Sequence, residues 1–444
     1  MTRNEQNLAP ERTQADLQTH SAGEAQAIYF RPVHAIMPCV SSADQNPTVS
    51  DPDVPALDIL IGPGAEPFLT SALETVGSRL RSHQVSQVRY VPSKSVTVQY
   101  RADVITASGR PEKATFVAMS GIPVPDGIPV FAADGLEVAF WQFPNDPFLH
   151  GLASATDPDR VSNLLVRLGA LKEPVKLRTR AYRAGRRAVI EASGKSQRIF
   201  LKVVRPESTA DLQLAHASLA HHVPVPHTFG WSQELGIVAL QAMAGRTLRA
   251  ALTARSTRVP TGSDLVALLD LFPQPNDDAP TVPGPHERAS EHARLLKAVA
   301  PALAGRLSAI VDRLQSVPAE SRAAVHGDFH SSQILVDGKN IVGIVDVDTA
   351  GKGERANDLA GLLGHLSTLA LDSPARRDIE RYGAALINDF DRRVNPIELR
   401  LRVAGAVLGL ATGPFRVQLR RWHENTEWRV ALAESWIASA EAIM

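Results

Sequence analysis

The sequence predicts an α+β protein of several domains, with strand-rich stretches first and helices after them. Short runs rich in β-branched and aromatic residues, set between Gly and Pro turns, occupy much of residues 86–248. Beyond residue 288, apolar residues recur mostly at helical spacing instead. The chain has 444 residues, a length that favours two or three domains over one.

The composition is that of a globular protein, with 44% hydrophobic and 21% charged residues, which excludes a fully disordered or fibrous chain. Lys plus Arg and Asp plus Glu both number 47, so the net charge indicates neither a nucleic-acid nor a membrane partner. Cys39 is the single cysteine and can form no internal disulfide, which favours a reducing compartment. No apolar run reaches the roughly 20 residues that cross a bilayer, and the polar start has no signal-peptide core. We therefore expect a cytoplasmic protein.

The order of elements starts with a leader. Residues 1–50 are rich in Gln, Asn, Ser, Asp and Pro, and predict a flexible segment. Residues 51–165 predict a strand-rich N-terminal domain, with strands at 86–142 and a helix near 157–170. The strand pattern then returns from about residue 172.

The two strand-rich stretches resemble each other, which indicates an internal repeat. Residues 90–98 align without a gap with residues 182–190, and Ala118 then corresponds to Lys202. The second copy has 16 more residues before its later strand, the length of one helix, which we place at 207–222. The alternative is that any two hairpin meanders look alike.

The remaining chain is mostly helical. Residues 272–288 are Pro-rich and predict an exposed loop. An apolar stripe from Leu295 to Leu314 is interrupted by Pro301, which predicts a kinked or split helix. Amphipathic segments recur near residues 356–371, 376–390, 397–412 and 427–443.

Residues 325–350 carry the most informative pattern, VHGDFHSSQILVDGKNIVGIVDVDTA. Two short apolar strands joined by a DGKN turn predict a hairpin. Its ends would bring Asp328, Gln333 and Asp346 together, with Asp348 close by. Oxygen ligands crowded in this way need a hard cation, most naturally Mg²⁺ held together with nucleotide phosphates.

This run resembles the catalytic segment of the aminoglycoside phosphotransferase and choline kinase family, relatives of protein kinases, with its H-G-D-x-H-x-x-N and I-D-x-D/E elements. Asp328 and Gln333 have the spacing of the catalytic Asp and the metal-binding Asn of protein kinases. Asp358-Leu-Ala resembles a D-L-A element of the family. The family also has an upstream strand lysine, and Lys202 lies in the apolar run IFLKVV. A buried ammonium needs anionic partners; the alternative is a lysine on a solvated strand face.

The resemblance implies a bilobal protein-kinase-like fold with an additional N-terminal strand-rich cap domain, similar to capped maltokinase-like bacterial phosphotransferases. The N-lobe would span residues 172–248 and the helical C-lobe residues 249–444. ATP would lie between the lobes, with its adenine against residues 240–244, including Gln241 and Met243, whose backbone amides would read the base edge.

The implied function is ATP-dependent transfer of a phosphoryl group to a hydroxyl of a small molecule, a sugar or aminosugar first and an aminoglycoside second. Asp328 would be the catalytic base, Lys202 would hold the phosphates, and Gln333 with Asp346 would hold Mg²⁺. The alternative is a pseudokinase-type module that binds nucleotide without turnover. Supporting roles in the site would fall to His326, His330, Asp348 and Asp358.

Three departures from the family pattern stand out. Gln333 replaces the Asn and is longer by one methylene, roughly 1.5 Å. No G-x-G-x-x-G is present, and Gly185 alone makes the expected turn flexible. His216 and its neighbour Ala215 occupy the helix where a glutamate should pair with Lys202, and either Glu207 or Asp211 could replace that glutamate.

Two further patterns leave alternatives open. His326 and His330 could be zinc ligands, but no cysteine or third histidine has suitable spacing, so magnesium explains the stretch better. Residues 141–147 and the arginine-rich residues 414–422 could contact a substrate or could be ordinary packing and solvated surface. If the repeat is genuine, the N-terminal copy lacks a phosphate-binding charge, and we expect it to bind no ATP and to pack its apolar face on the N-lobe.

Overall fold

The structure, a computed structural model, describes residues 49–133, 136–275, 278–319 and 322–444. Nearly all of the predicted leader, and Cys39 within it, lies outside these residues. The described chain is a mixture of helices and sheets in which a strand-rich N-terminal unit precedes the rest, as predicted. Within the described residues, no helix combines the length and apolar character needed to cross a bilayer.

The N-terminal unit is a five-stranded antiparallel sheet preceded by two helices. Its strands lie in the order β1-β2-β3-β5-β4, and one face packs on the helices through side chains such as Leu57, Leu69 and Phe116. The elements are α1 (Ala56–Ile61), α2 (Ala65–Glu74), β1 (Arg79–Val91), β2 (Ser95–Ile105), β3 (Pro111–Ser120), β4 (Val130–Ala133) and β5 (Leu136–Gln142).

A central unit repeats this arrangement, with two helices before a sheet of order β6-β7-β8-β10-β9. The helix predicted at 207–222 is α5, and no helix lies between β3 and β4 in the corresponding described part of the N-terminal unit. The elements are α3 (Leu152–Ala155), α4 (Pro158–Arg167), β6 (Lys176–Arg183), β7 (Arg187–Ser193), β8 (Arg198–Val204), α5 (Thr209–Leu219), β9 (Thr228–Ser232) and β10 (Ile237–Gln241). Because α3 and α4 pack on this sheet, they group with the central unit although the predicted boundary lies at 165.

The strand register corrects one detail of the repeat. Lys202 pairs with Val189, whereas Ala118 pairs with Val98. The β1–β2 and β6–β7 turns align Val189 with Thr97, whose partner on β3 is Met119. The residue equivalent to Lys202 is therefore Met119, and the predicted equivalence with Ala118 was wrong by one residue. A shift of one residue moves a side chain to the other face of a sheet, but the equivalent position still carries no charge.

The C-terminal unit is mostly helical and contains two small sheets, β11-β13-β14 and β12-β15. Pro301 separates α8 from α9, as expected for a helix-breaking proline. The elements are β11 (Arg246–Thr247), α6 (Leu248–Thr253), α7 (Gly262–Asp270), α8 (Ala289–Val299), α9 (Ala304–Leu314), β12 (Arg322–Val325), β13 (Ile334–Asp337), β14 (Asn340–Ile344), β15 (Gly351–Glu354), α10 (Arg355–Asp372), α11 (Arg376–Phe390), α12 (Pro396–Ala411), α13 (Gly413–Arg416) and α14 (Trp422–Glu441).

The Pro-rich loop is less exposed than predicted. The Val282 N–H donates to the carbonyl of Lys352 in β15 at 2.9 Å, and the Lys352 N–H donates to the carbonyl of Pro280 at 2.8 Å. Backbone groups need hydrogen-bond partners when they approach the interior, and β15 provides them here. Part of the loop therefore behaves as an added edge of the β12–β15 pair.

The N-terminal unit contacts both other units. The sheet face opposite α1 and α2, which includes Met119 and Trp141, contacts Tyr182 and Phe148 of the central unit. On β1, Tyr90 packs edge-on against Phe415 of α13, with ring centroids 6.4 Å apart. The expectation that the neighbouring lobe covers the apolar face was therefore half right, because the unit's own helices cover one face and the central unit contacts the other.

A buried carboxylate, Asp146, fastens the connection between the two sheets. It accepts hydrogen bonds from the Tyr182 hydroxyl at 2.7 Å, the Gly185 N–H at 2.7 Å and the Phe148 N–H at 2.9 Å. On the other side of the β6–β7 turn, the Arg205 Nε–H donates to the Gly185 carbonyl at 2.9 Å. The turn is thus held at both backbone groups of Gly185, whose φ of 67° suits glycine.

Replacing Asp146 with Ala should lower the free energy of unfolding by about 1–3 kcal/mol, because one buried and two partly buried donors lose their acceptor. Chemical denaturation of the full chain measures this change. Asp126, which is exposed, provides the control, and Asp126→Ala should change stability by less than about 0.5 kcal/mol. Equal stability of the two variants would contradict the assigned role of Asp146.

Candidate active site

Lys202 is a buried cation at the centre of the site. Its side chain is on β8 and the residue is 3% exposed, which rules out the solvated strand face. The Nζ atom lies 2.8 Å from Oδ1 of Asp346 and 2.5 Å from the carboxylate of Asp348. Both aspartates follow β14, and Asp346 has a left-handed backbone conformation with φ 57°. Ion pairs thus join the end of the hairpin to the central sheet.

This ion pairing controls the protonation of Asp346. Burial alone would raise the pKa of its carboxyl group, but the ammonium group of Lys202 outweighs burial and lowers that pKa to about 2. Arg187 adds positive charge from the other side, with its guanidinium 3.4 Å from the Asp348 carboxylate. Both aspartates are therefore held next to cations of the central sheet at neutral pH.

The helix glutamate expected for Lys202 has no replacement on α5. The two proposed substitutes, Glu207 and Asp211, are exposed, and the carboxylate partners of Lys202 are Asp346 and Asp348 instead. His216 of α5 is buried, and burial together with the charge of Lys202 lowers the pKa of its ring. A neutral imidazole therefore stands where the family has an anion.

The catalytic-loop backbone is fixed by Asp358 and His326. The buried carboxylate of Asp358 accepts from the N–H groups of His326 at 2.7 Å and Gly327 at 2.9 Å. His326 Nδ1 accepts from the Asp328 N–H at 3.2 Å, so its Nε2–H donates to the Val345 carbonyl at 3.0 Å. A side chain at Gly327 would lie 2.5 Å from the Thr349 carbonyl oxygen. These contacts leave the Asp328 side chain 48% exposed, at the mouth of the site.

Gln333 and His330 connect Asp328 with Asp346. The Gln333 amide lies 3.2 Å from Asp346 Oδ2 and 3.2 Å from His330 Nε2, which in turn is 3.8 Å from Asp328 Oδ1. The structure therefore brings together the four residues that the sequence predicts at the hairpin ends, Asp328, Gln333, Asp346 and Asp348.

The donor set fits a divalent cation. His330 Nδ1 accepts from the Ser332 N–H at 3.2 Å, so a neutral His330 carries its proton on Nε2 and donates toward Gln333. A Gln333 amide turned to receive that proton places its oxygen beside Asp346 Oδ2. Two oxygen acceptors at that separation repel each other unless a cation lies between them, and oxygen ligands are those that Mg²⁺ prefers.

Sequence reasoning missed His365, which lies on α10 two helical turns after Asp358. Its ring stacks on that of His330 with centroids 4.1 Å apart, and ligand atoms of Asp328, His330 and His365 all lie within 4.8 Å of one another. No third histidine has suitable spacing along the sequence, but His365 lies next to His330 in the folded chain. Burial lowers the pKa of His365 to about 3, so its ring is neutral and supports His330 by packing.

The connecting segment differs from the expectation for adenine binding. The Gln241 N–H donates to the His227 carbonyl at 2.8 Å, and the Ala242 N–H donates to the Arg198 carbonyl at 3.1 Å. These two amides are therefore occupied by strand pairing and cannot read a base edge. Met243 packs on Gly343 of β14, where an added side chain would lie 2.8 Å from its sulfur.

Lys202→Met should destabilise the protein most near neutral pH and least in acid. The pKa of Asp346 is about 2 in the folded chain against an ordinary 3.8, so the stabilisation is complete above the ordinary value and is lost as pH falls from 3.8 toward 2. Thermal unfolding of both proteins from neutral pH down to about pH 3 should show the difference in Tm narrowing.

The control is Lys113→Met, which removes an 88% exposed lysine paired with Asp103. It should change the Tm little at any pH, since exposed ion pairs contribute about 0–1 kcal/mol. A Tm difference for Lys202→Met that is independent of pH would contradict the assigned coupling to Asp346.

Comparisons with known proteins agree with the resemblance of the catalytic segment. Residues 179–394 match the model of the phosphotransferase enzyme family. The match contains most of the central sheet, the catalytic loop and α10, and it excludes the N-terminal unit. A search of curated proteins found no significant match.

Solved structures similar to this chain cover about three fifths of it. A thermostable mutant of aminoglycoside phosphotransferase APH(4)-Ia with ADP and hygromycin B is 14% identical, with a TM-score of 0.43, covering 63% of this chain and 97% of its own. A gentamicin complex of APH(2'')-IIa is 13% identical (TM-score 0.45; 63% and 98%). Macrolide 2'-phosphotransferase MphH from Brachybacterium faecium is 18% identical (TM-score 0.38; 62% and 97%). Similarity at this level identifies no substrate. The match to the phosphotransferase enzyme family is confined to residues 179–394, just under half of the chain.

Proposed function

We propose that this protein transfers the γ-phosphoryl group of ATP to a hydroxyl group of a small molecule, a sugar or aminosugar by first choice. The observation that carries the proposal is the convergence of Lys202, from the central sheet, on Asp346 and Asp348 behind the loop that presents Asp328. A buried cation, a metal-ligand pair and an exposed carboxylate in one cleft are the components that phosphoryl transfer requires.

Lys202 would hold the α- and β-phosphates. Its Nζ already has two anionic partners, so nucleotide phosphates would join or replace one aspartate rather than meet a bare buried charge. Arg187, 3.4 Å from Asp348, is placed to follow the phosphates from the same sheet. No carboxylate of α5 pairs with Lys202, and among the described residues its acidic partners are the two hairpin aspartates.

Asp328 would accept the proton of the attacking hydroxyl. Its side chain is 48% exposed, which gives an acceptor room to approach, while its backbone is held through His326 and Asp358. A fixed backbone with an accessible carboxylate orients the nucleophile, and most of the acceleration in such sites comes from positioning and charge neutralisation.

Asp346 and Gln333 would hold Mg²⁺, which would neutralise phosphate charge when bound. Adenine would lie near residues 240–244, with Met243 as an apolar surface rather than Gln241 and Ala242 as hydrogen-bond donors, because the amides of those two residues are already bonded. His330, supported by the stacked ring of His365, would orient the Gln333 amide.

A pseudokinase-type module that binds nucleotide without turnover is the second candidate. The observations that favour it are the neutral His216 on α5 and the Gln at position 333. Magnesium-dependent ATP binding without ADP release from any acceptor would support this candidate instead.

Asp328→Asn should leave folding and magnesium-dependent ATP binding intact while lowering ADP release by about 10²–10⁴-fold, the usual contribution of a general base. ADP release over a panel of sugars, aminosugars, aminoglycosides and amino alcohols gives the rate, and nucleotide-dependent thermal shift gives the binding. Retention of half the parental rate would mean that another group takes the proton.

Gln333→Asn should preserve magnesium-dependent nucleotide binding, because it keeps the amide oxygen of the ligand. Gln333→Leu has a similar size without that oxygen and should lose the magnesium dependence. Magnesium titration of the nucleotide-dependent thermal shift compares the two variants. A folded Gln333→Asn protein that behaves like Gln333→Leu would show that the site needs the longer side chain.

A further inference from the structure

A cavity of about 350 Å³ lies where the three units meet. Its walls come from strands β1 and β2 of the N-terminal unit, the end of β6 and the β6–β7 turn of the central unit, and helices α8 and α13 with the residues preceding them. Six arginines line it, one each from β1, β6, the β6–β7 turn, the residue before α8, α8 and α13: Arg89, Arg183, Arg186, Arg288, Arg294 and Arg416.

The cavity has almost no negative charge to balance these arginines. Glu291 is the one carboxylate among the lining residues, and it lies 3.7 Å from the guanidinium of Arg288. The remaining lining residues are polar or apolar, and burial lowers the pKa of His292 to about 4, which leaves that ring neutral. The net charge of the lining is therefore strongly positive, although the whole chain is balanced.

Positive charges predominate in the cavity, and Arg89, Arg186, Arg288 and Arg294 also reach solvent. Burial and the neighbouring guanidinium groups lower the pKa values of Arg183, Arg186 and Arg416. The other charges acting on Arg186 are Arg89, Arg187, Arg205 and Arg416, all cations. Like charges held together on separate structural units repel each other, and a bound phosphate removes that repulsion through charge-assisted hydrogen bonds.

The cavity is connected to the proposed chemistry through Arg183. The carboxylates of Asp328 and Asp346 are close enough to favour its charged form against the effect of burial on its pKa. Arg183 ends β6 and pairs in register with Arg187, whose guanidinium lies 3.4 Å from the Asp348 carboxylate. A molecule bound at Arg183 would thus extend from the cavity toward the catalytic carboxylate.

We infer that this arginine-lined cavity binds a phosphate group already present on the acceptor, so that the acceptor is a phosphorylated hydroxyl compound. The inference rests on the proposed function. The acceptor hydroxyl oxygen would form the new bond to the γ-phosphorus, the bond to ADP would break, and the hydroxyl proton would pass to Asp328. Such a cavity attracts anions and would repel a polycationic aminoglycoside.

The phosphates of ATP are the other source of the same chemistry. In the proposed function, Lys202 on the central sheet, together with Mg²⁺ held by Asp346 and Gln333, would already bind those phosphates. Arg89 and Arg416 come from the N-terminal and C-terminal units, so they test the cavity separately from that site.

The first experiment measures inorganic phosphate binding by thermal shift, with saturating magnesium and a non-hydrolysable ATP analogue present to occupy the nucleotide site. Phosphate should raise the Tm of the parental protein and of Arg81→Gln, an exposed control on β1 outside the cavity. Arg89→Gln and Arg416→Gln should each weaken phosphate binding by about tenfold or more. Arg89→Lys and Arg294→Gln provide further variants if one of these fails to fold.

No response of the parental protein, or an equal response of the Arg89 and Arg416 variants and the Arg81→Gln control, would overturn the inference. If phosphate raises the Tm in the absence of the ATP analogue but not in its presence, the phosphate binds at the nucleotide site instead.

The second experiment compares ADP release with sugar phosphates, the matching neutral sugars and aminoglycosides. Sugar phosphates should give the highest kcat/KM, and Arg89→Gln should raise their KM by about tenfold or more while leaving the KM for ATP unchanged. Turnover of neutral sugars alone would overturn the inference and leave the proposed function standing. If the parental protein binds no ATP, the proposed function is refuted, whatever the phosphate result.

Discussion

The contact between Lys202 and the two aspartates after β14 is the constraint on which the rest of the site depends. One buried ammonium group neutralises Asp346 and Asp348, and removing one partner of a buried ion pair typically costs about 3–5 kcal/mol. Because the lysine belongs to the central sheet and the aspartates belong to the C-terminal unit, this contact also sets the distance between them. Asp328 and Gln333 keep their positions relative to Lys202 only while that distance is kept.

The acidic partners of the strand lysine differ from those that a kinase-like pattern implies. The anion that usually faces the strand lysine from a helix is replaced by the neutral ring of His216, and the hairpin provides both carboxylates. α5 is therefore not tied to Lys202 by an ion pair, and its packing rests on apolar contacts such as those of Leu212 with Val238. The conformation of the site is controlled from the hairpin rather than from that helix.

Short-range signals in the sequence predicted the helices, turns and hairpins that depend on neighbouring residues. The hairpin after Gln333, the helix break at Pro301 and the amphipathic helices follow from turn chemistry and periodicity. The repeat was visible in the matching strand patterns, and the two sheets share a strand order. The residues that were missed meet their partners across long stretches of sequence. His365 reaches the loop residue His330 from α10, and the Ala118 register error arose because the hairpins β2–β3 and β7–β8 differ in length, so the alignment had to place a gap there.

The fastening of the β6–β7 turn by Asp146 has a consequence for how this protein can be divided. Asp146 lies in the connection between the two sheets, and its partners are in the second sheet and the turn itself. A fragment that begins after residue 171 would keep the family-like region but lose the acceptor for the Gly185 N–H and the apolar contacts of Trp141. Such a fragment would expose a turn whose geometry was set by the segment that was removed. A cut at residue 179, where the family match begins, would likewise remove Asp146 and alter the β6–β7 turn.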